Sequence, residues 1–407
     1  MTQKGHIFRW DLDKTYLKTE FDSVRDLVRT ARLSAEDREN IPGSAALLRA
    51  IRDCAPEGAA HRIYFISGSP EQMRGVIEKK FALDGFSPDG FVLKPTFSNL
   101  LRGRFRAVRS QVDYKLNELI TMRAEAPVGT PETLFGDDAE SDAFIYALYA
   151  DVLAGRVGWN TLRKILKKVG AYADQVDAIQ EGLESIIHED PVRRIIIHLD
   201  RRTPPVEFQA FFPLVVPIYS HLQTAVVLCL DDTLSATAIR DVAYELLTRY
   251  GTDEEEVLKL GEDILRRRRW NYPTERIEEL AEGLRETTRA TWPESNAPDE
   301  QARTTTARII ERIGDLALHL KDRPAPPDFV SVTSERDYLD IWASELKRRE
   351  AIKAQLRLEA KEREIKERQA KEAKASVKRS ERALSAGRSA NKVRAQTQTQ
   401  TDGDSDV

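Results

Sequence analysis

The chain has 407 residues, enough for two or three domains and for a large buried core. Lys and Arg number 63 and Asp and Glu number 67, so the net charge of −4 argues against a dedicated nucleic-acid-binding protein. Charged residues make up 32% of the chain and aromatic residues 7%, which indicates that part of the chain lies outside a compact fold. The two cysteines, Cys54 and Cys229, exclude a disulfide framework and a thiolate metal site, and they favour a reducing, cytoplasmic compartment.

The first 235 residues alternate short apolar runs with amphipathic stretches, which predicts an α/β fold with a mostly parallel sheet. In chain order, the predicted strands are 7–10, 62–67, 90–94, 132–135, 194–199 and 225–230, and the predicted helices are 21–33, 43–53, 72–81, 114–122 and 143–153. Several of these apolar strands end in polar residues, and in each case the polar residues stand at the carboxyl end of the strand. Open α/β sheets bind their ligands at that end.

One uncharged segment, residues 211–230, is long enough to span a bilayer. Pro213 and Pro217 would interrupt a helix inside the hydrocarbon layer, where every backbone group needs a partner. The sequence therefore predicts a buried pair of strands here, with no integral membrane span.

The remainder of the chain is charged and helical in period up to about residue 320, and then rich in proline. We predict an α/β domain over 1–235, a helical accessory region over 236–322, a linker over 323–334, and a charged helix with a disordered tail over 335–407. Lys and Arg outnumber Asp and Glu in 347–382, which would suit contact with an anionic membrane surface. The segment has a poor apolar face, however, so a solvated arm is favoured.

Two further charged motifs have an ordinary structural explanation. The four-arginine run 266–269 could bind phosphates of a lipid or a nucleic acid, but cations at a helix end, which face its carbonyl groups and the nearby acids 254–256, are favoured. The sequence 230–233, Leu-Asp-Asp-Thr, looks like a copy of the chemical motif described next, yet capping of the following helix is the favoured interpretation.

The residues that carry chemistry begin with Asp11-Leu12-Asp13-Lys14-Thr15, directly after the first strand. Two carboxylates two residues apart on an extended chain point the same way. Ser67 ends the second strand, Lys115 opens a helix, and the run from Gly136 to Asp142 closes the fourth strand. Each Asp taken alone could simply cap a helix, but the ordered set favours a shared site.

An acidic site of this kind needs a cation. Two carboxylates about 4 Å apart repel each other by roughly 4 kcal/mol at an effective dielectric constant of 20. Three or four acids at one sheet edge would cost much of the roughly 5–15 kcal/mol that stabilises a fold, so a metal ion is expected among them.

The order and context of these residues resemble the haloacid dehalogenase-like phosphohydrolases. The resemblance implies a Rossmannoid three-layer sandwich with a minimal cap, in which Asp11 is the nucleophile and forms an aspartyl-phosphate. Asp13 would be the general acid and base. Asp11, the backbone carbonyl of Asp13, and Asp137 would hold Mg²⁺, a hard cation that prefers oxygen ligands.

The remaining roles follow from the same resemblance. Asp138 would be a further metal ligand, and Asp142 would act on the ion through its bound waters. Ser67 would donate to a phosphoryl oxygen, in a phosphate-binding set completed by Thr15, Gly68 and Ser69. Lys115 would neutralise the nucleophile and the intermediate, with Lys94 as the alternative cation.

Longer stretches of sequence indicate which family within this superfamily the chain resembles. The stretches Ile66-Ser-Gly-Ser-Pro70, 83–94, Tyr114-Lys115 and 135–146 together look like the catalytic domain of the actin-patch phosphatidate phosphatases, with the lipin-type enzymes as more distant relatives. The resemblance covers about the first third of the chain. It implies Mg²⁺-dependent release of phosphate from phosphatidate. We expect a cytoplasmic protein, for which peripheral contact with membranes is an open alternative.

The sequence also indicates how open the site is, and it leaves alternatives for the substrate. The segments from Thr15 to Ser67 and from Ser67 to Lys115 are about fifty residues each and are occupied by predicted elements, so no large cap domain fits. An open site suits a bulky phosphorylated substrate, with a phospholipid favoured. The alternatives are a catalytically weak phospholipid-sensing module and a phosphatase that acts on nucleic-acid ends or on phosphoproteins.

Overall fold

The structure, a computed structural model, describes residues 5–19, 33–55, 59–94, 111–268, 271–290, 300–323 and 336–348, and a few positions between 350 and 369. Residues 1–342 form one compact unit and residues 343–407 a second. The predicted helix over 21–33 and most of the predicted linker and tail lie outside the described residues.

Six parallel strands form one sheet in the first unit. The strands are β1 (Ile7–Trp10), β2 (Arg62–Pro70), β3 (Gly90–Lys94), β4 (Glu132–Asp137), β5 (Val192–His198) and β6 (Val215–Ile218). Their order is β3-β2-β1-β4-β5-β6, and every neighbouring pair is parallel. The strand order reverses between β1 and β4, which creates a crevice at the carboxyl edge of the sheet. The predicted α/β fold is confirmed.

Helices cover both faces of the sheet. They are α1 (Ser44–Asp53), α2 (Arg74–Leu83), α3 (Val112–Ala124), α4 (Asp142–Leu153), α5 (Trp159–Val169), α6 (Ala173–Glu184), α7 (His221–Leu230), α8 (Ala236–Arg249), α9 (Glu254–Arg268), α10 (Thr274–Arg289) and α11 (Glu300–Leu320). Apolar side chains of α3–α6 form one core with the sheet, and those of α1, α2 and α7–α11 form the other. This arrangement follows from the alternation of side chains along each strand, as Leu134 enters the first core and Phe135 the second.

Of the two strands predicted within 211–230, the first is present and the prediction of the second is wrong. Residues 215–218 form β6, but the predicted strand over 225–230 is the second half of α7. A short apolar run has the same pattern in a buried strand and a buried helix, and here the Ser220 hydroxyl caps the helix by accepting from the Leu222 amide. Pro217 is accommodated because β6 is an edge strand. Of the helices that the structure describes, none is both long and apolar enough to cross a bilayer.

The charged region after residue 235 is helical, as predicted. Helices α8–α11 lie in the same compact unit as the sheet and share its second core. The domain boundaries proposed from composition remain predictions. In the arginine run, Arg266 and Arg267 pair with Glu262 and Asp263 one turn earlier, whereas Glu254 pairs with Arg308. Residue 269 lies outside the described residues.

Candidate active site

The segment after β1 turns sharply at the carboxyl edge of the sheet. The Asp11 amide still donates to the Phe135 carbonyl of β4 at 2.8 Å, which fixes Asp11 between the two strands. Beyond it, the Leu12 carbonyl accepts from the amides of Tyr16 and Leu17, and Lys14 adopts a left-handed conformation with φ of 59°. The carboxylates of Asp11 and Asp13 are consequently held, buried, at the crevice between β2 and β4.

Lys115, in the first turn of α3, is the lysine that reaches Asp11. Its Nζ lies 2.8 Å from Asp11 Oδ1, 2.9 Å from Glu140 Oε2 and 2.6 Å from Asp142 Oδ1. Lys94, the alternative cation, ends β3 with its Nζ 5.4 Å from the ring centre of Tyr114, and burial lowers its pKa to about 8. The geometry therefore favours Lys115 over Lys94 as the cation beside Asp11.

Four carboxylates form one acidic cluster. Oxygens of Asp11, Asp137, Glu140 and Asp142 lie within 4.8 Å of one another. Among the described residues, Asp11 Oδ2 and Asp137 Oδ2 are buried without a hydrogen-bond partner. Such oxygens are costly to leave unpaired, and they match the oxygen ligands that Mg²⁺ prefers, so this group could hold a metal ion.

The electrostatics of the cluster also favour binding of a divalent cation. Burial is the main cause that raises the pKa of Asp11 and Asp137, and neighbouring carboxylates raise it further while Lys115 opposes them. Burial would lower the pKa of Lys115, but the charges of Asp11, Asp142 and Glu140 outweigh it and raise that pKa. Lys115 contacts three of the four carboxylates, and the charge of Lys14 also lowers the pKa of Asp137. The negative charges still outnumber these two ammonium groups, so a divalent cation would balance them better than protonation at neutral pH.

Asp13 makes a separate set of contacts. Its Oδ2 accepts from the hydroxyls of Ser67 at 3.0 Å and Ser69 at 2.8 Å, whereas its buried Oδ1 has no hydrogen-bond partner among the described residues. Burial raises the pKa of Asp13, and the bonds from Ser69 and Ser67 oppose this shift. The two serines therefore hold Oδ2 as an acceptor and leave Oδ1 as the oxygen that can carry a transferable proton.

The residues predicted to bind phosphate are brought to the same edge. β2 continues through Ser67, Gly68 and Ser69 to Pro70, and the Ser69 amide donates to Ser67 Oγ at 2.9 Å. Gly68 packs closely, since a Cβ there would lie 3.1 Å from Gln111 Nε2. In the part of the chain that the structure describes, the buried Thr15 hydroxyl has no hydrogen-bond partner.

The structure places Asp138 away from the cluster, which argues against the predicted metal ligand. Both its carboxylate oxygens accept backbone amides of the loop after β5, from Arg201 at 2.8 Å and from Thr203 at 2.9 Å. Asp142, in contrast, lies inside the cluster: its Oδ1 contacts Lys115 and its Oδ2 accepts from the Asp137 amide at 3.2 Å.

Glu140 is the site residue that sequence reasoning missed. Asp137 Oδ1 accepts from the amides of Ala139 at 2.5 Å and Glu140 at 3.1 Å, and this turn directs the Glu140 side chain back towards Lys115. The available signal was its position three residues after Asp137 in a run of acids, but the sequence does not show which acid the turn directs inwards.

Residues 10–164 match the family model described as phosphatidate phosphatase APP1, catalytic domain. The resemblance inferred from the motifs is confirmed over this segment. It contains all four acids of the cluster, Lys115 and the two serines that hold Asp13. No curated protein and no solved structure shows a significant match.

Proposed function

We propose that this protein is a Mg²⁺-dependent phosphatase that hydrolyses a phosphomonoester through an aspartyl-phosphate, with phosphatidate or a related phospholipid as substrate. The observation that carries the proposal is the 2.8 Å contact between Lys115 Nζ and the buried Asp11, inside a cluster of acids and within the segment that matches the family model.

In the first step, a carboxylate oxygen of Asp11 attacks phosphorus as the bond from phosphorus to the leaving oxygen breaks. Asp13 gives its proton to that leaving oxygen and becomes a carboxylate. The unpartnered Oδ1 of Asp13 and its raised pKa both support this assignment. Lys115 lies beside Asp11 and offsets the negative charge that develops on the phosphoryl group.

In the second step, the Asp13 carboxylate removes a proton from water as the water oxygen attacks phosphorus. The bond between phosphorus and Asp11 breaks, inorganic phosphate leaves, and both aspartates return to their starting states. Ser67 and Ser69 keep Asp13 in place through both steps, because they donate to the oxygen that does not transfer the proton.

The metal would be held by Asp11 and Asp137, each with a buried unpartnered oxygen, together with acids of the same cluster. When bound, Mg²⁺ would supply positive charge that lowers the repulsion between the nucleophile and a phosphate dianion.

The lipid substrate rests on the family match rather than on the site. A cytoplasmic enzyme that meets its substrate at a membrane surface is consistent with the absence of a membrane-spanning helix among the described residues. The substrate assignment is therefore tested separately from the chemistry.

The experiment compares phosphate release from phosphatidate vesicles, a phosphorylated oligonucleotide and a phosphopeptide, each with Mg²⁺ or with a chelator. We expect release from the vesicles, loss of release on chelation, and loss of release in Asp11→Asn. Asp232→Asn is the matched control, because Asp232 belongs to the similar run 230–233 but is exposed and pairs with Arg276.

Acid quenching with substrate labelled in the phosphate should trap label on the wild-type protein but not on Asp11→Asn. Release that persists in Asp11→Asn would overturn the mechanism. Vesicle binding without release would instead identify a sensing module, and a preference for the oligonucleotide or the phosphopeptide would overturn the lipid assignment.

A further inference from the structure

Two buried histidines contact the catalytic loop from elements far along the chain. His198 ends β5, and its Nδ1 lies 2.7 Å from the Lys14 carbonyl oxygen. His221 begins α7, and its Nε2 lies 2.9 Å from the carbonyl oxygen of Thr15. The two rings stack with centroids 5.9 Å apart and planes 17° from parallel. Consecutive carbonyls of the loop Asp11–Thr15 are thus held by a stacked pair of imidazoles.

The chemistry of these contacts defines the tautomer of each ring. A carbonyl oxygen only accepts hydrogen bonds, so each contacting ring nitrogen must carry the proton. His198 is therefore protonated on Nδ1 and His221 on Nε2. The other nitrogen of His221, Nδ1, is buried without a hydrogen-bond partner among the described residues, which suits a lone pair better than a second N–H. Burial lowers the pKa of both rings, that of His221 to about 3, so both are neutral donors at physiological pH.

The loop needs such support. Lys14 lies in the left-handed region with φ of 59°, a conformation that side chains other than glycine adopt reluctantly and that persists where surrounding contacts impose it. The same backbone determines where the carboxylates of Asp11 and Asp13 point. His198 is also level with Asp137 in the sheet register, so one residue links the loop to the strand that carries the acidic cluster.

We infer that His198 and His221 are positioning residues, which hold the Lys14 and Thr15 carbonyls so that Asp11 and Asp13 keep their reactive orientation. Both histidines lie outside residues 10–164, the segment that matches the family model. The catalytic loop of that segment is therefore completed by the end of β5 and the start of α7. The expected effect on catalysis rests on the proposed function, whereas the two contacts with the loop do not depend on it.

Substitution by Asn or Gln tests the two contacts, because each amide replaces a different ring nitrogen of histidine. The side-chain N–H of Asn occupies about the position of His Nδ1, and that of Gln about the position of His Nε2. We expect His198→Asn and His221→Gln to retain most activity. We expect His198→Gln and His221→Asn to lower kcat by about 100-fold, the loss that a displacement near 1 Å can cause, with KM little changed.

The substrate for this comparison is p-nitrophenyl phosphate, run beside phosphatidate vesicles, with the melting temperature of every variant measured in parallel. His188→Asn and His188→Gln are the matched controls, because His188 Nδ1 makes the same kind of contact with the Leu153 carbonyl, at 3.3 Å, away from the loop. We expect neither control to change kcat.

Long-range ¹H–¹⁵N NMR of the histidine rings provides a readout that does not depend on activity. We expect protonated Nδ1 in the ring whose signals disappear in the His198 variants, and protonated Nε2 in the ring whose signals disappear in the His221 variants. The opposite tautomers would overturn the inference. So would amide variants that are equally active at each position, or whose losses only follow their melting temperatures. If the tautomers are as expected but the wild-type protein releases no phosphate, the proposed function fails and the geometry of the loop stands.

Discussion

Lys115 carries one positive charge among the buried carboxylates of Asp11 and Asp142 and the partly buried carboxylate of Glu140. A buried ion pair contributes little net stability compared with apolar packing, but removing one partner leaves uncompensated charge and is strongly destabilising. The three contacts of 2.6–2.9 Å therefore make this lysine a structural requirement of the metal-free site as well as a candidate for catalysis.

Lys115→Met should abolish most activity, lowering kcat by about 100- to 1,000-fold, because the charge beside Asp11, the proposed nucleophile, is lost. Its melting temperature without metal should fall, and Mg²⁺ should raise that temperature more than in the wild-type protein, because the carboxylates have then lost the ammonium that contacts three of them. Lys94→Met is the control and should cost far less. Phosphate release and thermal unfolding with and without Mg²⁺ measure both effects, and the reverse ranking of the two lysines would contradict the assignment.

Glu140 and Asp138 give a second test at this scale. Glu140→Gln removes a charge from the cluster and should weaken Mg²⁺ binding by about 10- to 100-fold, as changes beside metal ligands do. Asp138→Asn should leave Mg²⁺ affinity unchanged, because its oxygens accept backbone amides of Arg201 and Thr203. Titration calorimetry measures both affinities, and a larger loss in Asp138→Asn would restore Asp138 as a ligand.

At the scale of elements, the junction between β4 and α4 determines the shape of the cluster. Gly136, near the end of β4, lies against Asp142 at the start of α4, and a Cβ at Gly136 would come within 2.3 Å of Asp142 Oδ2 and 2.5 Å of its Cβ. No side chain fits between the strand and the helix at this point. The absence of a Cβ lets the strand carry Asp137 and the helix carry Asp142 to the same lysine.

Gly136→Ala should therefore displace Asp142 and reduce both activity and Mg²⁺ affinity. Gly75→Ala is the matched control, since a Cβ at this exposed position of α2 meets no atom within 4 Å among the described residues. That change should be neutral or should stabilise the protein by up to about 1 kcal/mol, because alanine is the better helix former. Chemical denaturation and phosphate release measure the two variants, and equal effects would show that the close approach is unimportant.

At the scale of the whole molecule, a buried charge network ties the middle of the sheet to the helices on one face. Glu132 of β4 accepts from Arg9 of β1 at 2.8 and 3.0 Å, from Arg123 of α3 at 2.9 Å, and from the Tyr149 hydroxyl of α4 at 2.9 Å. Burial would raise the pKa of Glu132, but the charges and hydrogen bonds of Arg9 and Arg123 outweigh it and lower that pKa. This network also explains why Arg9 interrupts the apolar pattern of β1.

The lowered pKa predicts how stability depends on pH. The stabilisation from Glu132 is fully present above its ordinary pKa of 4.5 and is lost as the pH falls through the lower pKa of the folded state. Glu132→Gln should destabilise the protein by roughly 3–5 kcal/mol at neutral pH and flatten the loss of stability below pH 4.5. Urea unfolding across that range measures both effects, with the exposed Glu181→Gln as control. A slope in acid that is identical to that of the wild-type protein would contradict the role of Glu132.

Local pattern in the sequence determined the parallel α/β fold and the edge of the sheet at which the chemistry lies. Asp11, Ser67 and Asp137 lie at or beside the carboxyl ends of parallel strands, and such ends meet at one edge regardless of loop detail. The sequence therefore predicted that these residues come together, and Lys115 does reach Asp11. The family resemblance was also recoverable, because the motifs lie within one continuous segment.

Only the tertiary structure decided which neighbouring side chains face the site. Asp138 and Glu140 are both acids after β4, and their directions depend on a turn whose backbone angles leave no periodic signal. The run 225–230 became helix rather than strand, because an apolar segment of that length fits either kind of buried element. His198 and His221 are separated from the loop by 184 and 206 residues, and no local pattern marks a single ring that meets a distant carbonyl. Periodicity arises from burial within one element, whereas these contacts arise from the packing of several elements.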